Sequence, residues 1–170
     1  MSLDSPLQPV SAQVAPSIRA IRPLTFYTIV ALVFIADQVT KAWILTRLQL
    51  GGASLPIIGD KFQLTLAHNT GGAWGLLPNG NLFFILFALL ATAALLFAYH
   101  KMPQIELFVG GAFALSLGGA MGNLLDRVRR GYVVDFFDAR VINFPVFNVA
   151  DCAISVGIIL LLIHFIRSPK

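Results

Sequence analysis

From residue 82 to residue 99 the chain carries no charged side chain, and a second charge-free run begins at 107, reaches 121 and continues to 125 through Gly122 and Asn123. About 20 apolar residues suffice for a helix to cross the hydrocarbon of a bilayer, and a helix satisfies its own backbone polar groups there. Both runs therefore read as membrane spans. Residues 24–45 are interrupted by Asp37 and Lys41, and residues 146–166 hold Asn148 and Asp151. Each still keeps about 20 mostly apolar positions, which makes four spans. Composition agrees: 57% of the 170 residues are hydrophobic and 12% charged, against about 25% charged in a soluble domain.

The expected fold is an all-α membrane protein of four transmembrane helices with a small β-sheet outside the membrane. The sheet is placed in residues 49–77, where "KFQLTLAH" puts Phe62, Leu64 and Leu66 on one face. The short link "HKMPQI" around Pro103 makes spans two and three antiparallel neighbours. In span three Ala114, Gly118 and Gly122 recur every four residues, leaving one face without bulk for another helix. Residues 1–20, rich in Ser, Pro, Ala and Gln, lack the apolar core of a cleavable signal and read as a disordered tail before one domain at 21–170.

Four spans put both termini on one side of the membrane. Five basic residues (Arg19, Arg22, Lys101, Arg167, Lys170) fall on that side. Six (Arg47, Lys61, Arg127, Arg129, Arg130, Arg140) fall on the other, so the positive-inside rule does not choose between orientations. The net charge of +4 comes from scattered residues without interleaved aromatics, which argues against nucleic-acid binding. A single cysteine, Cys152, excludes an intrachain disulfide and any multi-cysteine metal site.

Polar groups concentrate in "GNLLDRVRRGYVVDFFDARVINFPVFNVAD", residues 122–151. Alternating span directions bring Asp126, Asp135, Asp138 and Asp151 to one membrane face, with Asp37 about two turns below the end of span one. Asn69, Asn123 and Asn148 belong to that face as well. A lone carboxylate in hydrocarbon costs several kcal/mol, so such acids need partners, water or a proton. Lys41, one turn after Asp37, offers it a structural ion pair, and Asp126 has Arg127 and a helix end beside it. Asp135 and Asp151 have no basic residue within four positions.

Two such carboxyls brought together share a proton, and an ionised and a protonated partner are the base and acid of metal-free amide hydrolysis. The alternative from another class is a small proton- or cation-coupled transporter in which Asp37, Asp126 and Asp151 form a relay. No H-E-x-x-H or G-x-S-x-G motif is present. His164 lies more than two turns from Ser155 along the same helix, out of reach as its base.

Four motifs, in order, resemble the bacterial lipoprotein signal peptidases, or signal peptidase II: "DQVTK" at 37–41, "NTGGAWG" at 69–75, "GNLLDRVRRGYVVDF" at 122–136 and "FPVFNVAD" at 144–151. The resemblance implies an aspartic endopeptidase of the bacterial inner membrane, with its active site near the periplasmic face and its termini in the cytoplasm. It implies cleavage of prolipoproteins just before a diacylglyceryl-cysteine, without a cofactor or metal, with Asp135 and Asp151 catalytic. Asp37, Lys41, Asn69, Gly71, Asn123, Asp126, Arg127 and Asn148 fall on the other motif positions, which support the dyad or contact substrate, and the expected partners include membrane lipids and globomycin-type inhibitors. Gly72 and Trp74 stand where the family usually has Ala and Phe, and the tail is long for the family.

Overall fold

The computed structural model describes residues 20–72, 77, 80–102 and 104–167. The tail expected at 1–20, apart from Ala20, lies outside the described residues, as do Trp74 and the Pro103 of the second link.

Four helices are long and apolar enough to span a membrane: α1 (Pro23–Arg47), α2 (Asn81–Lys101), α3 (Leu107–Arg130) and α4 (Val149–Arg167). Strands β1 (Leu55–Ile58) and β2 (Phe62–Asn69) follow α1, and β3 (Val133–Asp138) follows α3. Local chemistry explains several ends. Pro23 opens α1, where its missing N–H costs no hydrogen bond. Gly131, at φ 81°, closes α3 by donating its N–H to the Arg127 carbonyl at 3.1 Å, a left-handed turn that glycine adopts without strain. Arg127, Arg129 and Arg130 in that last turn sit favourably at the negative end of the helix dipole.

The chain builds outward from α3, which packs against each of the other three helices. Its small residues permit this. A Cβ on Gly118 would meet the Val30 carbonyl oxygen at 2.8 Å on α1, and one on Gly119 would meet Ile154 Cγ1 at 2.9 Å on α4. The bulk-free face expected from Ala114, Gly118 and Gly122 is thus the seat of α1. Near the chain termini Phe26 stacks on Tyr99 at 3.7 Å, joining α1 to α2 over buried Ala114 and Leu117.

At the other end β1, β2 and β3 form an antiparallel sheet in that order. Its lower face packs Leu64, Leu66, Val134 and Phe136 on Ile44 and Leu48 at the end of α1. β3 is a departure from the sequence reading, which confined the sheet to 49–77. Its pairing partner is some 70 residues away in sequence, and "YVVDFF" lies inside a stretch dominated by charge. After β3 a short 3-10 turn (Arg140–Ile142) reverses the chain. Phe147 then pairs back on β3, its carbonyl accepting from Phe136 and Phe137 N–H at 3.0 and 2.8 Å. That return delivers Asn148 and α4 beside Asp135.

Candidate active site

Each polar residue of the site is set by a local rule. Ala67 pairs with Asp135 across β2 and β3, and Asn69, two residues on, shares their face. Asn69 Nδ2 donates to Asp135 Oδ2 at 2.9 Å. Its Oδ1 accepts the Gly71 and Gly72 N–H groups at 3.2 and 2.8 Å, which folds the following loop around it.

Asn148 and Asp151 exchange bonds at the start of α4: Asp151 N–H donates to Asn148 Oδ1 at 2.9 Å, and Asn148 N–H donates to Asp151 Oδ2 at 3.1 Å. This is the geometry of a capping box, which satisfies two otherwise unpaired helix donors. The Asn148 amide also donates to Asp135 Oδ1 at 2.7 Å. One asparagine thereby holds both acids.

Behind them lies a charged layer. Lys41, 1% exposed, lies 2.9 Å from Asp37 Oδ2 and 3.0 Å from Asp126 Oδ2. It also donates to Asn123 Oδ1 at 2.9 Å, and Asn123 Nδ2 donates in turn to Asp151 Oδ1 at 2.8 Å. Asp37 accepts the Ala150 N–H at 3.0 Å, and Asp126 accepts the Val134 N–H at 3.2 Å. These carboxyls fix the first turn of α4 and the start of β3 respectively.

The structure supports the expected Asp37–Lys41 pair and revises two other readings. Asp126 pairs with Lys41 across the helix interface and, at 3.7 Å, with Arg130. Arg127 instead stands 4.5 Å over the Phe84 ring and points one guanidinium nitrogen at Asn81 Oδ1, 3.4 Å away. A residue and its successor on a helix diverge by 100°, so Asp126 and Arg127 face different neighbours. Asp138, expected to converge with the other acids, is directed elsewhere. Three positions from Asp135 along a strand, it takes the opposite face, where it accepts from Thr65 at 2.8 Å and Arg140 at 2.9 Å.

Sequence reasoning also missed Gln38, Asn81 and Phe84. Gln38 donates to Asp37 and to the Gly122 carbonyl, and Asn81 and Phe84 hold Arg127. Two of the three are polar residues in or at the edge of spans, a signal that was present and unused.

Asp135 is 2% exposed. Burial, and after it the charge of Asp151, push its carboxyl from the ordinary 3.8 up to about 7, against the pull of the Asn69 and Asn148 amides. Among the described residues neither Asp135 nor Asp151 has an ion pair, and Lys41 reaches Asp151 through Asn123.

Asp151 stands at one end of a cleft of about 930 Å³ lined by α2, α3 and α4. Asn69, Asn123 and Arg127 make its polar end, and Ala91, Leu95 and Leu161 its apolar depth. Phe87 on α2 and Val156 and Ile158 on α4 line it and are exposed, so it lies open sideways between α2 and α4. The acids gather at one end of the bundle, not along a path through it, which leaves the transporter alternative without a relay.

Residues 29–167 match the family model described as signal peptidase (SPase) II. The chain belongs to the signal peptidase II family. It is 42% identical over 151 residues to the lipoprotein signal peptidase of Geobacillus kaustophilus, an alignment covering 86% of this chain and 97% of that one. It is 45% identical over 138 residues to that of Moorella thermoacetica, covering 81% and 90%. A solved bacterial membrane enzyme, determined by the in meso method at 2.3 Å resolution, superposes with a TM-score of 0.82 at 34% identity, over 89% of this chain and 96% of its own. Family membership and this likeness support the four-span fold and the multi-pass membrane placement.

Proposed function

We propose that this signal peptidase II cleaves the signal peptide from prolipoproteins just before the diacylglyceryl-cysteine, with Asp135 and Asp151 as its acid–base pair. The observation that carries the assignment is the Asn148 bridge, which binds both carboxyls while neither has an ion pair among the described residues. Two acids so placed hold one proton at neutral pH. The ionised carboxylate takes a proton from a water as it attacks the scissile carbonyl, and the protonated partner donates to the carbonyl oxygen. As the tetrahedral diol collapses, the carboxyl that took the water's proton passes it to the leaving nitrogen and the other recovers its own from the diol hydroxyl, so the peptide bond breaks with no covalent intermediate and the dyad is restored.

Asn69, Asn123 and Asn148 orient the two carboxyls, Asp37, Lys41 and Asp126 fix the elements that carry them, and Gly71 closes the Asn69 turn. Arg127, at the polar end of the cleft, is placed to meet the substrate backbone. The apolar cleft suits a lipidated, membrane-embedded peptide that enters from the side, and inhibitors of the globomycin type would occupy the same space. Residues 21–170 act as one peptidase domain in the bacterial inner membrane, with the sheet and dyad on the periplasmic side.

Purified protein incubated with a diacylated prolipoprotein should release the signal peptide, with mass spectrometry locating the cut before the lipidated cysteine. A cut elsewhere, or equal cleavage of unlipidated precursor, overturns the substrate assignment. For orientation, Ala53→Cys and Lys101→Cys in a Cys152→Ser background should react with an impermeant thiol reagent from opposite sides of the membrane. Labelling of both from one side overturns the topology.

A further inference from the structure

Gly72 adopts φ +76°, and a Cβ built on it would fall 2.5 Å from Cζ of Phe84, with the two neighbouring ring carbons at 3.1 and 3.3 Å. The ring of Phe84, on the first turn of α2, is therefore directed tip-first at the Gly72 backbone. The same ring carries the Arg127 guanidinium 4.5 Å from its centroid. Asn81, three residues earlier on α2, donates to the Arg127 carbonyl at 3.2 Å and faces its guanidinium. Gly72 N–H is in turn one of the two donors that hold Asn69 Oδ1, and the other end of that amide holds Asp135. A continuous set of contacts thus runs from Arg127 through Phe84, Gly72 and Asn69 to the dyad.

We infer that Phe84, seated on Gly72, is a positioning residue for the reaction: it clamps the turn at Gly71 and Gly72 that orients the Asn69 amide on Asp135 and holds Arg127 at the polar end of the cleft. The inference rests on the assignment of Asp135 and Asp151 as the catalytic pair. A side chain on residue 72 and the ring of Phe84 cannot occupy their present places together, so the glycine and the phenylalanine act as one unit. The effect on chemistry passes through Asn69, whose bond to Asp135 favours the ionised carboxyl. Loosening the loop weakens that bond. The other charged groups that act on Asp135 are Asp151 from α4, Lys41 from α1 and Arg127 from α3, and Arg127 is itself held by the ring.

The test is the pH dependence of kcat and KM for diacylated prolipoprotein cleavage by the full chain and by Phe84→Leu, Gly72→Ala and the double variant. Phe84→Leu should lower kcat about tenfold or more, since a small misplacement of a reacting group is that costly, with a smaller change in KM. Its alkaline midpoint should rise by about half a pH unit as the Asn69 bond weakens. Phe84→Tyr, which adds an oxygen at the ring tip facing Gly72, should resemble Gly72→Ala and not the parent. The double variant should lose no more than the worse single one.

Unchanged kcat and midpoint in Phe84→Leu, or single losses that multiply in the double variant, overturn the inference. A fall in thermal midpoint without a shift of the pH profile also overturns it, because a purely structural role predicts that result. Asp135→Asn is run alongside. If it cleaves at the parental rate, the dyad assignment fails and this inference with it. If it is inactive while Phe84→Leu matches the parent, this inference alone fails.

Discussion

Two pairs of carboxyls sit in adjacent layers of this molecule and have opposite surroundings. Asp37 and Asp126 are 0% exposed and share Lys41, within 3.0 Å of each. Asp135 and Asp151 share Asn148, which donates its side-chain amide to the first and its backbone N–H to the second and has no charge to give. A cation between two buried carboxyls gives both of them a counter-charge and ties α1 to α3. Asn148 orients two acids without a counter-charge, and burial, then the charge of Asp151, push Asp135 up to about 7. Under the proposed assignment the same residue type is structural in one layer and reactive in the next, and the charge of the residue between them decides which.

The comparison breaks most sharply at the dyad. Asp135→Asn and Asp151→Asn should each cut turnover on the order of a thousandfold or more, with the double variant hardly worse than either, because groups that act as a unit are non-additive. Folding should survive all three, as judged by thermal melts. A double variant that multiplies the single losses would mean that the two acids work independently.

In the other layer the expected loss is stability. Lys41→Met leaves two buried carboxylates without their cation, and removing one partner of a buried ion pair costs about 3 to 5 kcal/mol. The thermal midpoint should fall steeply. Asp126→Asn should cost less, since Lys41 keeps Asp37, and some cleavage should remain. If Lys41→Met melts like the parent, the charged layer is not what holds α1 to α3.

A smaller effect separates the layers by pH. Between the ordinary carboxyl value of 3.8 and about 7, folded Asp135 keeps a proton that the unfolded chain has released. Stability therefore falls as pH rises through that window, and the loss is complete above it. Asp135→Asn should abolish this component, gaining on the order of a few kcal/mol over the parent at pH 8 and nothing near pH 3. Cleavage by the parent should decline as pH passes about 7, when the pair loses its shared proton. The smallest expected effect is that of a chelator, which should leave cleavage in detergent unchanged. Strict dependence on added zinc would put a cation between Asp135 and Asp151 and erase the distinction.

The spans, the small face of α3 and the Asp37–Lys41 pair were legible because each rests on spacing within one segment: run length, a four-residue repeat, one helical turn. Asp135 and Asp151 were legible for a related reason, the lack of any cation nearby in sequence. What failed depended on contacts between segments. Asp126 finds Lys41 from 85 positions away, so its adjacent arginine was a misleading neighbour. β3 exists because β2 and Phe147 pair with its two edges, and without β3 nothing indicated that Asp138 would face away from Asp135. The motif resemblance named residues that the structure brings close together but assigned no partner to any of them.

The sideways opening between α2 and α4 sets the units in which this enzyme meets its substrate. A partner that arrives through the plane of the bilayer is counted per lipid, not per litre. Diluting a fixed amount of prolipoprotein with more detergent or lipid should therefore slow cleavage even when its bulk concentration is held constant, and diluting the whole suspension with buffer should change little. Apparent KM values for this enzyme then compare across preparations only as mole fractions.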